Sequence, residues 1–196
     1  MADRSQIRQT MRQQRNTLSP QQQSDAAHNV EQLISRSHVY RNSQRIACYI
    51  ANDGELSLEP LIERIWLQNK VCYLPVLDSI HPNRLWFAPY RPNSKMRLNR
   101  FGIPEPLYKK HELVRARSLD LVMTPLVAFD KMGNRLGMGG GFYDRSFAFL
   151  LRRRYWHKPR LCGVAYDFQQ VKQLPYQPWD VPLTAIATDR TIYKST

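Results

Sequence analysis

The glycine-rich stretch from residue 137 to 141 is the part of the chain whose residue types point most directly to chemistry. Four of the 8 glycines lie within these five positions, directly before an aromatic run with helical spacing that begins at Phe142. Glycine permits a positive φ and lets backbone N–H groups converge on an anion, and a helix that follows adds the positive end of its dipole. The stretch therefore predicts a phosphate-binding loop.

Charged side chains on both sides of this loop indicate which kind of phosphate ligand it would bind. Arg135 and Arg145 can each fork onto phosphate oxygens, and Asp144 offers the hard oxygen ligand that suits Mg²⁺. Together they indicate a nucleoside triphosphate. The loop lacks both the Lys-Ser/Thr pair of a P-loop and the glycine spacing of a dinucleotide-binding loop. On these residues alone, a flexible turn between a strand and a helix stays an equally open interpretation.

Two helices are expected at the N-terminus, ahead of the elements that carry the loop. Apolar residues recur at helical spacing from residue 3 to about 18, with arginines on the opposite side. Ser19 followed by Pro20 predicts the cap and first residue of a second helix. Arg4 and Arg8 lie one turn apart and can together bind phosphate oxygens, although spacing alone favours an exposed basic face.

Buried strands alternate with helices along the rest of the chain. Apolar runs predict strands at 45–51, 71–77, 83–90 after a Pro82 turn, 119–125, 160–166 and 185–187, helices at 56–67 and 142–155, and an irregular segment at 101–106. The strand, helix and strand within 45–77 predict a parallel crossover. We expect one α/β domain over residues 1–196, with three layers, a largely parallel or mixed central sheet flanked by helices, and an N-terminal helical pair.

Candidate ligand-binding residues follow the ends of these strands. Ile50 and Glu55 are expected at the carboxyl end of the first strand, where ligands bind in parallel sheets. Asp180 precedes the last strand. A solvated loop carboxylate is the alternative for Glu55, and a turn aspartate before Pro182 is the alternative for Asp180.

Charge and composition narrow the classes of partner. The net charge of +13 favours anionic partners, which include nucleic acid, a nucleotide with an anionic substrate, and an acidic membrane surface. The basic residues are spread along the chain without a nucleic-acid motif, apart from residues 152–154, which we expect to be a solvated helix end. No apolar run approaches the roughly 20 residues of a membrane span. We therefore expect neither nucleic acid nor membrane as a partner.

The cysteine pattern indicates a reducing compartment. The 3 cysteines, Cys48, Cys72 and Cys162, are widely spaced, and each lies in an apolar run. We expect them to be reduced and buried, which together with the absence of an apolar secretory segment points to the cytoplasm.

Residues 133–145, with the sequence Gly-Asn-Arg-Leu-Gly-Met-Gly-Gly-Gly-Phe-Tyr-Asp-Arg, closely resemble the signature of the 5-formyltetrahydrofolate cyclo-ligase family. Segments around Arg8, Glu55 and Asp180 resemble the same family in order along the chain. Arg4 stands where the family usually has lysine, which keeps the charge and changes the donor geometry.

The resemblance implies a role for each of these residues. It implies that ATP is bound by Arg4, Arg8, Arg135, Leu136, Gly137, Met138, Gly139, Gly140, Gly141, Phe142 and Tyr143. Folate would be held by Ile50, Glu55, Met138, Gly139, Gly140, Gly141 and Phe142. Asp144 and Asp180 would bind Mg²⁺, with Asp130, Asp167 and Asp189 as weaker metal candidates, and Arg135 and Arg145 would be catalytic.

The activity implied is the ATP-driven closure of 5-formyltetrahydrofolate, including its polyglutamylated forms, to 5,10-methenyltetrahydrofolate. ADP and phosphate would be released, by way of a phosphorylated formyl intermediate. We expect a cytoplasmic monomer. The alternatives are a small-molecule kinase that uses the same loop, a basic RNA-binding protein, and a non-catalytic folate-binding module.

Overall fold

The computed structural model describes residues 3–78, 83–152 and 158–195. The α-helices are α1 (Arg4–Asn16), α2 (Pro20–Arg36), α3 (His38–Arg41), α4 (Glu59–Leu67) and α5 (Phe142–Phe147). The strands are β1 (Arg45–Ala47), β2 (Val71–Leu77), β3 (Leu85–Tyr90), β4 (Met96–Leu98), β5 (Pro104–Pro106), β6 (Leu121–Pro125), β7 (Ala128–Phe129), β8 (Arg135–Leu136), β9 (Arg160–Val164), β10 (Ala185–Ala187) and β11 (Ile192–Lys194). Short 3₁₀ helices span Lys110–Glu112, Ala116–Ser118, Ala148–Arg152 and Asp167–Gln169.

Seven of the strands form a mixed sheet in the order β11-β10-β9-β6-β1-β2-β3. The five inner strands are parallel, and β3 and β11 pair antiparallel at the two edges. The chain passes from β1 to β2 on one side and later returns to β6 on the other side of β1. The point where these connections diverge is where open α/β sheets bind ligands, beyond the carboxyl ends of the strands.

Both faces of the sheet are buried, because successive residues of each inner strand point to opposite sides. Ile46 and Leu121 belong to a core cluster with the apolar residues of α2 and α4. Their neighbours Ala47 and Val122 belong to a second cluster with Phe147 of α5. The arrangement has three layers around a mixed sheet, which confirms the predicted α/β fold class.

The N-terminal helical pair is also confirmed. Ser19 caps α2 because its Oγ accepts a hydrogen bond from Gln22 N at 3.2 Å, while the Gln22 side chain accepts one from Ser19 N at 2.8 Å. This reciprocal pair with Pro20 at the first helical position fixes the start of the helix.

Several predicted boundaries were wrong. The first strand ends at Ala47 rather than residue 51. Cys48 N still donates to the carbonyl of Tyr73 at 2.9 Å, and Cys48 and Tyr49 stay buried beyond the strand. The helix predicted from residue 56 begins at Glu59. The helix predicted for 142–155 is α-helical only to Phe147 and continues as a 3₁₀ turn to Arg152, which places Phe149 against Phe147 with 6.2 Å between ring centroids.

Two small hairpins were not predicted. Strand β5 lies within the segment 101–106 that was expected to be irregular, and it pairs antiparallel with β4, which precedes that segment. Strands β7 and β8 pair antiparallel and lead directly into the glycine-rich loop. All three cysteines are buried free thiols, as predicted, although Cys48 lies just after β1.

Some predictions fall on residues outside the described ranges, namely the Pro82 turn, Arg153 and Arg154 of the basic helix end, and the continuation of the last helix to residue 155. Within the described ranges, no helix combines the length and apolar character needed to cross a bilayer.

Candidate active site

A cavity of about 860 Å³ opens at the carboxyl ends of β1, β2 and β6. Tyr49 and Ile50 follow β1 at its wall, and Pro125 and Leu126 line it from the end of β6. Apart from the three weaker metal candidates, every residue that the sequence nominated for ATP, folate or metal binding lies in this wall: Arg4, Arg8, Ile50, Glu55, all of 135–145, and Asp180. The structure thus brings together segments that are far apart in the sequence.

The glycine-rich loop has the backbone conformation that its composition predicts. Gly139 and Gly141 have φ values of +102° and +62°, which L-residues with side chains rarely adopt. Gly141 is the N-cap of α5, and a Cβ atom there would lie 2.8 Å from Arg145 Nη1. Both positions therefore favour glycine because of their positive φ, and a Cβ atom at Gly141 would also displace the end of the Arg145 side chain.

Asp144 is held by a network that the sequence did not reveal. Its Oδ1 accepts hydrogen bonds from Arg135 Nη2 at 2.6 Å and from Val181 N at 3.1 Å. Arg135 Nη1 also donates to the carbonyl of Val181 at 2.6 Å. The Arg135 side chain is only 6% exposed, and burial lowers its pKa while the Asp144 carboxylate opposes that shift. Arg135 thereby fixes the Asp144 carboxylate against the segment that precedes β10.

The arginines of α1 connect the helix to three separate loops. Arg4 Nη2 pairs with Asp180 Oδ2 at 2.8 Å. Arg8 Nε donates to the carbonyl of Gly137 at 2.8 Å, and its Nη2 lies beside Gly139. One turn further on, Arg12 Nε contacts Asp53 Oδ2 at 2.6 Å, and this hydrogen bond is the main cause of the lowered pKa of Asp53.

Glu55 lies in a poorly solvated part of the cavity. Its Oε2 accepts a hydrogen bond from Asn52 N at 3.2 Å. The carboxylate is exposed to the cavity rather than to bulk solvent, and burial raises its pKa to about 7 against the opposing effect of that hydrogen bond. The phenols of Tyr49 and Tyr143 lie near it, and burial raises the pKa of both above the usual tyrosine range. Such a carboxyl group changes charge near neutral pH.

The side of the cavity towards β3 is apolar. Leu77, Leu85 and Ile103 line it, and Phe101 packs edge-on against Phe142 with 5.8 Å between ring centroids. The Arg145 guanidinium lies over the other side of this aromatic pair, 5.7 Å from the Phe142 centroid. The sequence offered no signal for Phe101 and Ile103, because they reach the cavity only through the unpredicted pairing of β4 and β5.

Glu105 is a second carboxylate in the wall that the sequence did not assign. It is 4% exposed, and its Oε1 accepts hydrogen bonds from Leu77 N at 3.1 Å and Asn99 Nδ2 at 2.9 Å. These bonds attach the β4–β5 hairpin to the end of β2. Glu105 is thus a residue that positions the apolar wall.

The weaker metal candidates lie away from the cavity. Asp130 is buried and accepts hydrogen bonds from Met132 N, Asn134 N and Leu174 N. Asp167 accepts from the hydroxyls of Thr188 and Tyr193, and Asp189 accepts from Asp167 N. These three carboxylates stabilise loops.

Asp144 and Asp180 fit a Mg²⁺ ion that arrives with phosphates. Hydrogen bonds from described residues reach Oδ1 of Asp144 and Oδ2 of Asp180, which leaves the second oxygen of each carboxylate for a cation. In the described part of the chain, no three His, Cys, Asp or Glu side chains cluster closely enough to hold a metal by themselves. Mg²⁺ commonly takes one or two carboxylates and completes its shell with phosphates and waters.

The sheet is open and mostly parallel, and the glycine-rich loop and the carboxylates lie where its strand order reverses. This arrangement is typical of α/β proteins that bind ligands beyond the carboxyl ends of their strands. The chain belongs to the 5-formyltetrahydrofolate cyclo-ligase family, whose sequence profile matches residues 1–189.

Individual relatives agree with this assignment over nearly the whole chain. The 5-formyltetrahydrofolate cyclo-ligase of Haemophilus influenzae is 43% identical over 182 residues, which are 92% of this chain and 94% of that protein. The Escherichia coli K12 protein of the same name is 38% identical over 94% of this chain and 99% of its own. The NMR structure of Aquifex aeolicus 5,10-methenyltetrahydrofolate synthetase matches with a TM-score of 0.81 at 30% identity, covering 97% of this chain and 92% of that one.

Proposed function

We propose that this protein converts 5-formyltetrahydrofolate to 5,10-methenyltetrahydrofolate with consumption of ATP and release of ADP and phosphate. One observation carries the proposal. In a chain of the cyclo-ligase family, the glycine-rich loop, the arginines of α1, Glu55 and the two carboxylates Asp144 and Asp180 all line one cavity.

The nucleotide is assigned to the end of the cavity where α1 meets the glycine-rich loop. Backbone N–H groups of the glycines at 139–141 would donate to phosphate oxygens there, and Arg8 reaches the same loop through Gly137. Arg145 already donates to the carbonyls of Gly140 and Asn83, which fixes its guanidinium at the rim of the loop. Phosphoryl transfer depends mainly on such positioning and on neutralising charge.

The folate is assigned to the side that contains Ile50, Glu55 and the Phe101–Phe142 pair. An ionised Glu55 accepts two N–H groups in a fork, which matches the amino-pyrimidine edge of a pterin. The apolar wall suits the aromatic ring that follows the pterin. Met138 and Gly139–Gly141 lie between the two assigned regions, where the formyl group and the γ-phosphate must meet.

The chemistry follows from the poor leaving ability of a formyl oxygen. That oxygen attacks the γ-phosphorus, the bond from phosphorus to the bridging oxygen breaks, and ADP leaves. N10 then attacks the formyl carbon, loses its proton, and the carbon–oxygen bond breaks to release phosphate. Both steps need alignment and stabilisation of phosphate charge, and neither needs a side-chain nucleophile.

Mg²⁺ is assigned to Asp144 and Asp180 on the fit of their free carboxylate oxygens. When bound, it supplies neutralisation of phosphate charge. Arg135 then has a positioning role through Asp144, because both of its Nη atoms already donate to Asp144 and Val181.

The test follows the absorbance of the methenyl product. The purified protein is mixed with 5-formyltetrahydrofolate, ATP and Mg²⁺, and parallel mixtures omit ATP or Mg²⁺. Product that forms only in the complete mixture supports the proposal. ADP release with a stable phosphorylated product instead indicates a kinase, and folate binding with ATP left intact indicates a binding module. Action in the cytoplasm as a monomer stays a prediction.

A further inference from the structure

Arg15 is a fully buried cation in the last turn of α1. Its side chain is 0% exposed, whereas that of Arg12, one turn earlier, is 46% exposed. Burial of a guanidinium costs free energy unless its charge is paired. Arg15 Nη2 donates to Asp53 Oδ2 at 3.0 Å, while its Nε and Nη1 are buried and have no hydrogen-bond partner among the described residues. The charge of Arg15 is therefore only partly compensated by its surroundings.

The carboxylate of Asp53 is shared by two arginines. Arg12 donates to it through Nε at 2.6 Å and through Nη2 at 3.2 Å, and Arg15 donates through its own Nη2. The three side chains together carry one positive charge in excess. Water and salt screen the exposed Arg12, whereas the buried Arg15 is screened little. The excess charge therefore acts mainly on the buried surroundings of Arg15.

The turn at residues 52–55 packs directly on the end of α1. Asp53 and Gly54 have φ values of +53° and +71°, and a Cβ atom at Gly54 would lie 3.3 Å from Cβ of Arg15. Glu55 ends the turn, and its Oε2 accepts a hydrogen bond at 3.2 Å from the backbone N–H that begins the turn. The ion pair between Asp53 and Arg15 thus holds the same turn that carries the Glu55 carboxylate.

Several ionisable groups face Glu55 in the part of the chain that the structure describes. They are Arg15 from α1, Asp53 from the turn, Tyr49 after β1 and Tyr143 from α5. Both phenols stay protonated near neutral pH, because burial raises the pKa of each above the usual tyrosine range. Burial is the main cause of the raised pKa of Glu55; the positive charge of Arg15 opposes this shift, whereas the negative charge of Asp53 adds to it. Arg15 therefore favours the ionised form of Glu55.

We infer that Arg15 is a positioning residue for folate, which holds the turn at 52–55 through Asp53 and orients the Glu55 carboxylate for the pterin. The inference rests on the proposed function, since it concerns the residue assigned to the pterin. Arg15 lies outside the described wall of the cavity, so its effect passes through Asp53 and Glu55. Because only an ionised carboxylate accepts two N–H groups, a residue that fixes this carboxylate and favours its charge raises folate affinity in two ways.

The experiment measures equilibrium binding of 5-formyltetrahydrofolate without ATP, from about pH 6 to about pH 9, with KM values for folate and ATP in parallel. The proteins are the wild type, Arg15→Gln, Arg15→Lys, Asp53→Asn and the control Arg12→Gln. Glutamine removes the charge of Arg15, and lysine keeps that charge without the planar fork. Asparagine removes the charge of Asp53 and tolerates its positive φ. The control removes the exposed partner of the same carboxylate.

The pH midpoint of folate binding in the wild type should lie at about 7. Arg15→Gln should raise the midpoint by about one pH unit, which lowers the ionised fraction of Glu55 at about pH 7 from about a half to about a tenth and weakens binding about fivefold. Asp53→Asn should lower the midpoint by about half a unit, and Arg15→Lys and Arg12→Gln should stay within about 0.3 of the wild type.

Positioning is measured at about pH 9, where Glu55 is largely ionised in every protein. Arg15→Gln should still bind folate about three- to tenfold more weakly than the wild type there, because the hydrogen bond that holds the turn is lost, and its KM for ATP should be unchanged. A purely structural role would lower the unfolding temperature without moving the midpoint.

An unshifted midpoint in a folded Arg15→Gln protein would overturn the inference, as would an equal shift in Arg12→Gln. If Arg15→Gln does not fold, an upward or absent shift in Asp53→Asn, or an upward shift of about one unit in Arg15→Lys, contradicts the inference instead. Methenyl product with no effect of Arg15→Gln on folate binding contradicts the inference alone. Folate binding with the expected pH dependence, in a wild type that forms no methenyl product, contradicts the proposed function alone.

Discussion

Replacing Glu55 by glutamine is expected to make the protein more stable above neutral pH and less able to bind folate. Glu55 lies in the cavity wall, and burial raises its pKa to about 7 from its ordinary value of 4.5. The folded state therefore holds a proton on Glu55 between these two pH values, where the unfolded chain has released it. Stability contributed by this proton is present below about pH 4.5 and is lost as the pH rises through about 7.

The size of the loss follows from the shift. The difference between these two pKa values, roughly 2.5, corresponds to about 3.5 kcal/mol at most, at about 1.4 kcal/mol per pKa unit. Glutamine avoids this cost, because it is uncharged and its Oε1 can still accept the hydrogen bond from Asn52 N. At about pH 8 the Glu55→Gln variant should unfold several degrees above the wild type, and at about pH 4 the two should coincide.

The same substitution should weaken folate binding, although it stabilises the protein above neutral pH. Only the ionised carboxylate accepts two N–H groups, and at one pH unit below its pKa about a tenth of Glu55 is ionised. The folate KM of the wild type should therefore rise about tenfold from pH 8 to about pH 6, while the ATP KM changes little. Glu55→Gln should raise the folate KM by about 10- to 100-fold at pH 8 and remove its pH dependence.

The assays are thermal unfolding and steady-state kinetics across this pH range, with Glu63→Gln on the exposed face of α4 as the matched control. A folate KM that does not depend on pH in the wild type would refute the reasoning. So would a variant that keeps the pH dependence of the wild type, because another group would then be responsible.

Three further variants test the loop and its charged neighbours. Asp144→Asn should lower kcat by at least about 100-fold with a normal unfolding temperature, since the amide oxygen still accepts from Arg135 and Val181; activity like that of an Asp25→Asn surface control would contradict the metal assignment. Arg8→Ala should raise the KM for ATP about tenfold or more and leave the folate KM unchanged, whereas an equal rise in both would remove Arg8 from the nucleotide site. Gly139→Ala should destabilise the protein by about 1–2 kcal/mol because of its φ of +102°, measured against Gly137→Ala, whose added methyl group meets open space; equal unfolding temperatures would argue against strain in the loop.

Local chemistry made much of the fold predictable. The start of α2 depends on Ser19, Pro20 and Gln22, which are neighbours in the sequence, and the strand at 71–77 was placed to the residue. The glycines of the loop predicted positive φ values, because few other residues adopt such values. The strand at 45–51 was predicted too long because Cys48 and Tyr49 stay buried beyond its end, which gives the same apolar pattern as a strand.

The contacts of α1 could not be predicted from local sequence patterns. Its described buried residues are Ile7 and Arg15, so apolar packing alone fixes the helix weakly. Its other attachments are Arg4, Arg8 and Arg12, whose partners lie 176, 129 and 41 residues away along the chain. Helical spacing describes these arginines as an exposed basic face, and only the positions of three distant loops turn that face into the wall of a cavity. Under the proposed function, phosphates that recruit Arg4 and Arg8 would replace one part-buried ion pair and one hydrogen bond to a carbonyl, each worth on the order of 1 kcal/mol. We therefore expect nucleotide binding and the position of α1 to be coupled through the same side chains.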